Sequence, residues 1–328
     1  MLVSSGTRFE ADLSPPDETL RRAAASAPHS PFLTPSFAHA QRRTGKEIAL
    51  LSLRGDGDLL ACCLAGTKRG RLRTTVEVFS LPEGGDRPEF AEGLLRFCRS
   101  VSADLLVVES LGSRTRGLPP LAGRISHRTR CEHVWSLRGK DLWAALSANH
   151  RRNITRARKA GVAVIAAEGD SALATHLRLT DASLVRREQR GEDVRTGDLQ
   201  ASSWGVLLET GAGCLYQAHL GEEVLSSILV LKASDGAYYH SAGTSPDGMR
   251  LGASQLLIFD VATRLAAEGL SVFNLGGAEP ASEGLYRFKV GFGTSAQELE
   301  AASYQVGGVV RRGMLWLADS ARAVLSRS

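Results

Sequence analysis

The stretch that decides the fold is CLYQAHLGEEVLSSILVLKASDGAYYHSAG, residues 214–243. Its apolar and β-branched runs, with a turn at Gly221-Glu222, are typical of strands joined by short connections. In the segment that follows, apolar residues recur at helical spacing and Gly269 is placed to end the helix. The pattern predicts three strands, a helix and a closing strand, at Cys214–His219, Val224–Leu231, Ala237–Ala242, Ser254–Ala267 and Leu270–Leu275.

The first half of the chain shows the same order. Gly55-Asp56-Gly57 marks a hairpin turn, and the predicted strands and helix are Ile48–Leu53, Leu59–Leu64, Thr75–Ser80, residues 87–101 and Asp104–Glu109. The two copies lie about 165 residues apart, which is too long for a solenoid repeat and fits two domains of one fold. We therefore predict an α/β (mixed α+β) protein with domains at 1–130 and 131–328, each a mostly antiparallel mixed sheet flanked by helices.

Composition excludes several classes of protein. The chain has 328 residues, of which 43% are apolar and 23% charged, so a normal core can form and wholesale disorder is excluded. Five cysteines without C-x-x-C spacing argue against a disulfide framework or a zinc site. The first residues lack the apolar core of a signal peptide, and no apolar run is long enough to span a membrane. We therefore expect a cytoplasmic protein with free thiols.

A predicted helix at Asp141–Gly161 carries an unusual set of cations. Five basic residues fall in nine positions without an acid, namely Arg151, Arg152, Arg156, Arg158 and Lys159. Cations near a helix C-terminus are often only complements of the helix dipole. Arg151 and Arg152 lie too far upstream for that explanation, so a phosphate-bearing partner is an equally good hypothesis. A second basic run, Lys68–Arg73, lies in a glycine-containing loop of the first half, and we expect both runs to border one cleft.

Two glycine-containing segments in the second half are candidate binding elements. In LYRFKVGFG, residues 285–293, aromatic residues and cations alternate, which predicts a tight turn with Phe288 and Phe292 in the core and Arg287 and Lys289 facing a cleft. The formal G-x-G-x-x-A match at 291–296 comes too late in the chain for a dinucleotide fingerprint. Upstream, a turn at residues 245–248 runs directly into a helix whose N-terminus could bind phosphate.

Motifs of other reaction classes are absent. The sequence contains no Walker A run, no G-x-S-x-G elbow and no H-E-x-x-H, and its eight histidines show no metal-ligand spacing. A nucleophile–base triad and metal-dependent hydrolysis are therefore not predicted, and no metal site is expected.

Three segments of the second half resemble the GNAT-type domain of the Fem family, the tRNA-dependent aminoacyltransferases that build peptidoglycan cross-bridges. They are NHRRNITRARKAGV (149–162), FNLGG (273–277) and GLYRFKVGFG (284–293), in matching order and spacing. The resemblance implies two tandem GNAT-like domains, of which the first is degenerate. It implies transfer of an aminoacyl group from aminoacyl-tRNA to an amine of a cell-wall precursor or related small molecule. The alternative is an acyl-CoA-dependent N-acetyltransferase, for example in polysaccharide biosynthesis.

The resemblance also assigns one residue, because the lysine of its Phe-Lys pair corresponds to Lys289, near the transferred acyl group. From the residues themselves, Tyr286 or Glu283 is a candidate proton relay, and the candidate pocket consists of Phe288, Asn274, Gly276 and Gly277. The candidate donor-binding residues are Arg151, Arg152, Arg156, Arg250, Gly252, Ala253 and Arg287. The GNAT pyrophosphate loop, Q/R-x-x-G-x-G/A, is only partial here as Arg250-x-Gly252-Ala253. We expect no tightly bound cofactor and no DNA partner.

The chemistry agrees with the residue inventory, because aminolysis of an ester or thioester needs alignment and oxyanion stabilisation but neither an enzyme nucleophile nor a metal. A different class remains open, a non-catalytic polyanion-binding module built on degenerate GNAT domains. A last predicted helix, Met314–Leu325, has an apolar stripe beside arginines, and we expect it to dock on the protein, with peripheral membrane contact as the alternative.

Overall fold

A computed structural model describes residues 6–139, 141–189, 201–278 and 283–307. The strands are β1 Thr7–Asp12, β2 Glu47–Gly55, β3 Asp58–Arg69, β4 Thr74–Val78, β5 Leu105–Val108, β6 Arg124–Ser136, β7 Ala163–Ala167, β8 Gly213–Leu220, β9 Glu223–Lys232, β10 Gly236–Thr244, β11 Val272–Gly277 and β12 Ser295–Gln305. The α-helices are α1 Asp17–Ser26, α2 Pro35–Arg43, α3 Pro88–Ser100, α4 Leu142–Ala145, α5 Ala148–Lys159, α6 Gly169–Gln189, α7 Ala201–Glu209, α8 Pro246–Leu251, α9 Ala253–Ala267 and α10 Glu283–Val290. A 3₁₀ turn spans Pro31–Leu33.

The chain divides into two compact units. Among the described residues, the first comprises 6–26, 41–130 and 299–307, and the second comprises 27–40, 131–139, 141–189, 201–278 and 283–298. The chain passes from the first unit to the second between Arg130 and Cys131. Two segments depart from a simple division at that point, because residues 27–40 belong to the second unit and residues 299–307 belong to the first.

The first unit contains a mixed sheet in the order β1-β2-β3-β4-β5-β12. Its neighbours are antiparallel except β4 and β5, which are parallel and are connected through helix α3. The turn between β2 and β3 has Asp56 and Gly57 at positive φ (52° and 92°), the backbone that a two-residue hairpin turn requires. The core lies under α3, where Phe90, Leu94 and Phe97 pack on sheet residues such as Val76 and Leu106.

The second unit repeats this arrangement in the order β6-β11-β10-β9-β8-β7. Again one neighbouring pair, β10 and β11, is parallel, and helix α9 connects the two strands. Helix α9 buries Leu257, Val261 and Leu265 in the core beside Phe273, and each such side chain contributes about 1.5–3 kcal/mol on burial. The prediction of a mixed α/β fold, with mostly antiparallel strands flanked by helices, is confirmed.

Two predicted elements differ in form. The single helix expected at Asp141–Gly161 is two helices, α4 and α5, because Ser147 leaves helical geometry and its Oγ caps α5 by accepting from the His150 N–H at 3.2 Å. The turn expected within residues 285–293 is instead helix α10, followed by a turn at 291–293. The predicted C-terminal helix lies outside the described residues. No helix in the described ranges is long and apolar enough to cross a membrane.

Candidate active site

Helix α10 is held against helix α5 by a buried histidine. His150 lies on α5 with 3% of its surface exposed, and its Nε2–H donates to the Phe288 carbonyl at 2.8 Å. Its ring also packs on the rings of Phe288 and Phe292, with centroid distances of 5.5 and 4.4 Å. A Cβ on Gly291 would lie 2.5 Å from the imidazole, so this position requires glycine. Burial lowers the pKa of His150 below its ordinary value.

Lys289 projects from α10 to the end of β11. Its Nζ donates to the Gly277 carbonyl at 2.6 Å and lies 5.7 Å from the centre of the Tyr239 ring on β10. The side chain is buried, with 5% exposed, whereas the sequence led us to expect a partly solvated lysine. The ammonium is therefore held in a low-dielectric position, where its field on a nearby charge is stronger than in water.

The acidic and basic neighbours of Lys289 on α10 are paired with each other. Glu283 forms an i,i+4 ion pair with Arg287, and both side chains are exposed. Arg287, expected to face the cleft, is also engaged on the surface. Neither the proton-relay role of Glu283 nor the donor-binding role of Arg287 gains support from this arrangement.

A buried carboxylate, Glu132 on β6, organises the strand ends beside Lys289. Glu132 is completely buried, and its two oxygens accept from the Tyr238 hydroxyl at 2.9 Å and the Asn274 amide at 2.7 Å. Asn274 Oδ1 in turn accepts from the Gly276 N–H at 2.8 Å, which fixes Gly276 at a φ of 71°. This network shapes the segment whose next carbonyl, that of Gly277, receives Lys289. Three of the four predicted pocket residues, Asn274, Gly276 and Gly277, thus meet at the candidate lysine.

His133 follows Glu132 in β6, so its side chain points to the opposite face of the strand, toward Thr294 and Tyr286. It is completely buried, its Nδ1 lies 3.3 Å from Thr294 Oγ1, and the Tyr286 ring stands edge-on at 5.0 Å. Burial lowers the pKa of His133, the positive charge of Lys289 lowers it further, and the Ala278 backbone opposes both effects. Sequence reasoning missed Glu132, His133 and the role of His150. The available signal was the adjacent ionisable pair Glu132-His133, which lies between Cys131 and the apolar Val134-Trp135.

The two central strands separate at this cluster. The parallel pairing of β10 with β11 ends at Tyr238 and Asn274, although both strands continue beyond these residues. Strand β10 also shifts its register against β9 between Tyr239 and Ser241. Lys289 and Tyr239 lie where the pairing ends. The pairing of the two strands therefore ends beside a buried cation, an arrangement able to hold an acyl carbonyl and stabilise charge on its oxygen.

The predicted donor-binding residues are arranged differently from a plain phosphate loop. Arg250 pairs with Asp247 at 3.1 Å within the six-residue helix α8, and its carbonyl accepts from Arg156 Nη1 at 3.0 Å. Gly252, with φ at 81°, joins α8 to α9, and a Cβ there would lie 2.7 Å from the Asn153 carbonyl. The partial pyrophosphate motif is thus used mainly to pack α8 and α9 on α5, with Ala253 buried at the start of α9.

The α5 cations divide by their contacts. Arg151 donates to the Ala144 carbonyl at 3.2 Å, and Arg158 lies over the rings of Trp143 and Phe259 at 5.5 Å from each. Arg152 is exposed. The other basic run belongs to the first unit, where Arg69 pairs with Glu47 at 2.8 Å and lowers the pKa of that carboxyl. The shared cleft remains a prediction.

No group of three or more histidine, cysteine or acidic side chains in the described ranges is placed to hold a metal ion. The candidate site therefore consists of a buried ammonium, a buried carboxylate network and a buried imidazole around the separated strand ends. These are groups that align and polarise a carbonyl and move a proton.

Comparison with known proteins agrees with this geometry. Residues 145–290 match the family model described as acetyltransferase (GNAT) domain. Among solved structures, the crystal structure of FemX is similar with a TM-score of 0.65 and 14% identity, over 89% of this chain and 96% of that one. A tandem GNAT protein from the clavulanic acid biosynthesis pathway has a TM-score of 0.54 and 13% identity, over 92% and 99%.

A third similar structure is the C-terminal domain of a putative lysylphosphatidylglycerol synthetase from Agrobacterium fabrum, with a TM-score of 0.54 and 17% identity, over 92% of this chain and 96% of that one. No curated protein sequence matches. At these identities the likeness to the solved structures establishes the fold alone, and the family match covers the unit that holds Lys289. Residues 145–290 therefore match a GNAT acetyltransferase domain, and the chain has the GNAT fold, which together support its assignment as a transferase.

Proposed function

We propose that this protein transfers an aminoacyl group from aminoacyl-tRNA to the amine of a small acceptor such as a cell-wall precursor. The observation that carries the proposal is the buried Lys289 ammonium where β10 and β11 separate. As the neutral amine attacks the ester carbonyl, a C–N bond forms and negative charge develops on the carbonyl oxygen. A preorganised cation stabilises that charge without reorganisation. The C–O bond to the ribose then breaks, and the ribose oxygen takes up the proton that the amine has released.

The arrangement of the donor-binding segment favours an RNA carrier over coenzyme A. The Arg250 guanidinium is engaged by Asp247, and Gly252 is packed against Asn153, so the segment corresponding to a pyrophosphate loop is largely used inside the fold. A tRNA needs no such loop, since its backbone is bound by dispersed cations such as the exposed Arg152. The FemX-like fold is in keeping with this choice.

Acyl-CoA is the second candidate donor, because the family model that matches residues 145–290 is named for acetyltransferases. The two donors differ in salt dependence. Binding of a tRNA through several phosphate contacts weakens steeply with salt, whereas a CoA molecule offers few such contacts. A non-catalytic polyanion-binding module would bind RNA with the same salt dependence but transfer no acyl group.

The test offers the purified full-length protein radiolabelled aminoacyl-tRNA or acetyl-CoA together with a panel of amine acceptors. We expect label transfer from aminoacyl-tRNA, and Lys289→Met should reduce the rate by about 10²–10³. Lys289→Arg should rescue poorly, because a planar guanidinium does not replace a compact ammonium in a tight site. Lys232→Met, which alters a lysine of the same unit that pairs with Glu268, is the matched control.

Thermal melts show whether each variant is folded. Transfer from acetyl-CoA alone would replace the donor assignment. Turnover of folded Lys289→Met within about threefold of wild type would contradict the role of Lys289, since even one oxyanion-stabilising donor is typically worth more than tenfold.

A further inference from the structure

We propose that His133 is the catalytic base of the second unit, whose Nε2 takes the proton that the acceptor amine releases as it attacks the donor carbonyl. This inference rests on the proposed function and deepens it by naming the proton acceptor. Aminolysis always releases such a proton, and a side chain that accepts it in the transition state contributes about 10²–10⁴ in rate.

The hydrogen bond with Thr294 favours one tautomer of His133. The Thr294 hydroxyl has one proton, and it donates that proton to the Lys289 carbonyl at 3.1 Å. Toward His133 the same oxygen can therefore only accept, so the ring nitrogen 3.3 Å away, Nδ1, carries the proton. The remaining nitrogen, Nε2, is then left with its lone pair.

The lone pair at Nε2 is the unusual feature. His133 is completely buried, and its Nε2 has no hydrogen-bond partner within the described parts of the chain. Buried polar atoms in native proteins are nearly always paired, because an unpaired one costs about 1–3 kcal/mol. An acceptor atom left without a partner beside Lys289 is what a site for an incoming N–H donor requires.

The surrounding charges suit a base that is neutral before the reaction and protonated briefly during it. Among the described residues, Lys289 and Tyr286 of α10 lie beside His133, and Cys131 lies two positions away on the same strand face. Burial and, to a smaller extent, the positive charge of Lys289 lower the pKa of the imidazole, which favours its neutral form. The Ala278 backbone favours the protonated form and so stabilises the imidazolium once it appears. The half-buried Tyr286 ring, edge-on to the imidazole, is the group that the entering amine displaces.

The step balances without any further reactant. The amine nitrogen bonds to the carbonyl carbon, its proton passes to Nε2, and the oxyanion lies toward Lys289. When the C–O bond breaks, Nε2 returns the proton to the departing ribose oxygen. His133 ends in its starting state, and the products are an amide and the free hydroxyl of the carrier.

The experiment compares wild type with His133→Asn, whose side-chain amide can still donate to Thr294 but has no basic nitrogen. We expect single-turnover rates to fall by about 10²–10⁴, with little change in KM, and the acidic limb of the pH–rate profile to disappear. Added imidazole should restore part of the rate. The matched control is His127→Asn in the first unit, an exposed histidine paired with Glu300, which should retain wild-type activity.

Two further measurements keep the proposal testable if His133→Asn does not fold. Nitrogen-15 NMR of wild type should show the Nδ1–H tautomer for His133, and Thr294→Val should lower turnover by at least about tenfold by releasing that tautomer. An Nε2–H tautomer, or a folded His133→Asn enzyme within about threefold of wild type, would overturn the role of His133. Wild type that is inactive with both donors would instead overturn the proposed function.

Discussion

His176 on α6 should make the second unit sensitive to acid. Its ring is completely buried, with Nδ1 2.9 Å from Ser227 Oγ and Nε2 2.8 Å from Ser241 Oγ. Both hydroxyls can serve the neutral ring, but nothing in this arrangement compensates the burial of a positive charge. Burial therefore lowers the pKa of His176 from 6.5 to about 4, with a smaller contribution from the charge of His240.

The magnitude follows from proton linkage. Above about pH 6.5 the ring is neutral in both the folded and the unfolded chain, so it adds no pH dependence. As the pH falls below that value, the unfolded chain binds a proton that the folded chain does not, and the free energy of unfolding decreases. The loss is complete near the folded pKa of about 4 and amounts to about 3 kcal/mol.

The assay is urea unfolding at a series of pH values for wild type and His176→Asn. The Trp204 ring, 5.1 Å from the imidazole, gives a local fluorescence signal. The altered hydrogen bonds of the variant lower its free energy of unfolding by the same amount at every pH. The informative quantity is therefore how the difference in free energy of unfolding between the two proteins changes with pH. We expect that difference to shift by about 3 kcal/mol between neutral pH and pH 4. A difference constant within about 0.5 kcal/mol would refute the reasoning.

Further predictions concern packing, thiols and charge. Gly291→Ala should destabilise the second unit by about 1–3 kcal/mol by pressing on His150, whereas Gly284→Ala, with open space around it near the start of the preceding helix α10, should be neutral or stabilising; thermal melts compare them. The Cys98 thiol, completely buried with its pKa raised to about 12, should react with a disulfide reagent only after denaturation, and stoichiometric labelling of native protein would contradict this. Arg152→Gln should lower the salt slope of tRNA binding by about 0.7–0.9 at unchanged melting temperature, whereas Arg156→Gln should also lower the melting temperature because it frees the Arg250 carbonyl.

The fold was predictable because its information is local and occurs twice. Hairpin turns such as Asp56-Gly57 and Gly221-Glu222 fix which strands are neighbours, and a helix followed by an apolar run then predicts the parallel closing strand. The repetition of this order at both ends of the chain made two sheets a stronger prediction than either copy alone. Periodicity could not predict that residues 27–40 belong to the second unit. The local pattern of such a segment is the same whichever unit it packs on.

The break between α4 and α5 shows a second limit. Leu142, Leu146 and Ile154 fit one apolar stripe, and nothing in that stripe marks an interruption. The interruption is made by Ser147, a residue that competes for backbone hydrogen bonds and is equally common on an exposed helix face. The same limit applies to α10, where two aromatic residues and two cations alternate in the sequence and predicted a turn. The structure has a helix there, and a hydrogen bond from His150 to the Phe288 carbonyl holds it.

At the candidate site, sequence patterns identified the cation and missed the groups around it, and the physical reason is burial. A lysine between two phenylalanines is visible as a break in an apolar pattern, but Glu132 and His133 occupy a strand in which ionisable residues normally alternate toward solvent. Only the fold shows that both faces of β6 are covered there, so that each side chain must find a partner inside. Glu132 accepts from Tyr238 and Asn274, and His133 satisfies Nδ1 through Thr294. Because burying a polar atom without a partner is costly, two ring nitrogens of this cluster call for an explanation, Nε2 of His133 and Nδ1 of His150, neither of which has a hydrogen-bond partner among the described residues. Nε2 of His133 is the one for which we propose a chemical role, because its ring lies within reach of the charge of Lys289.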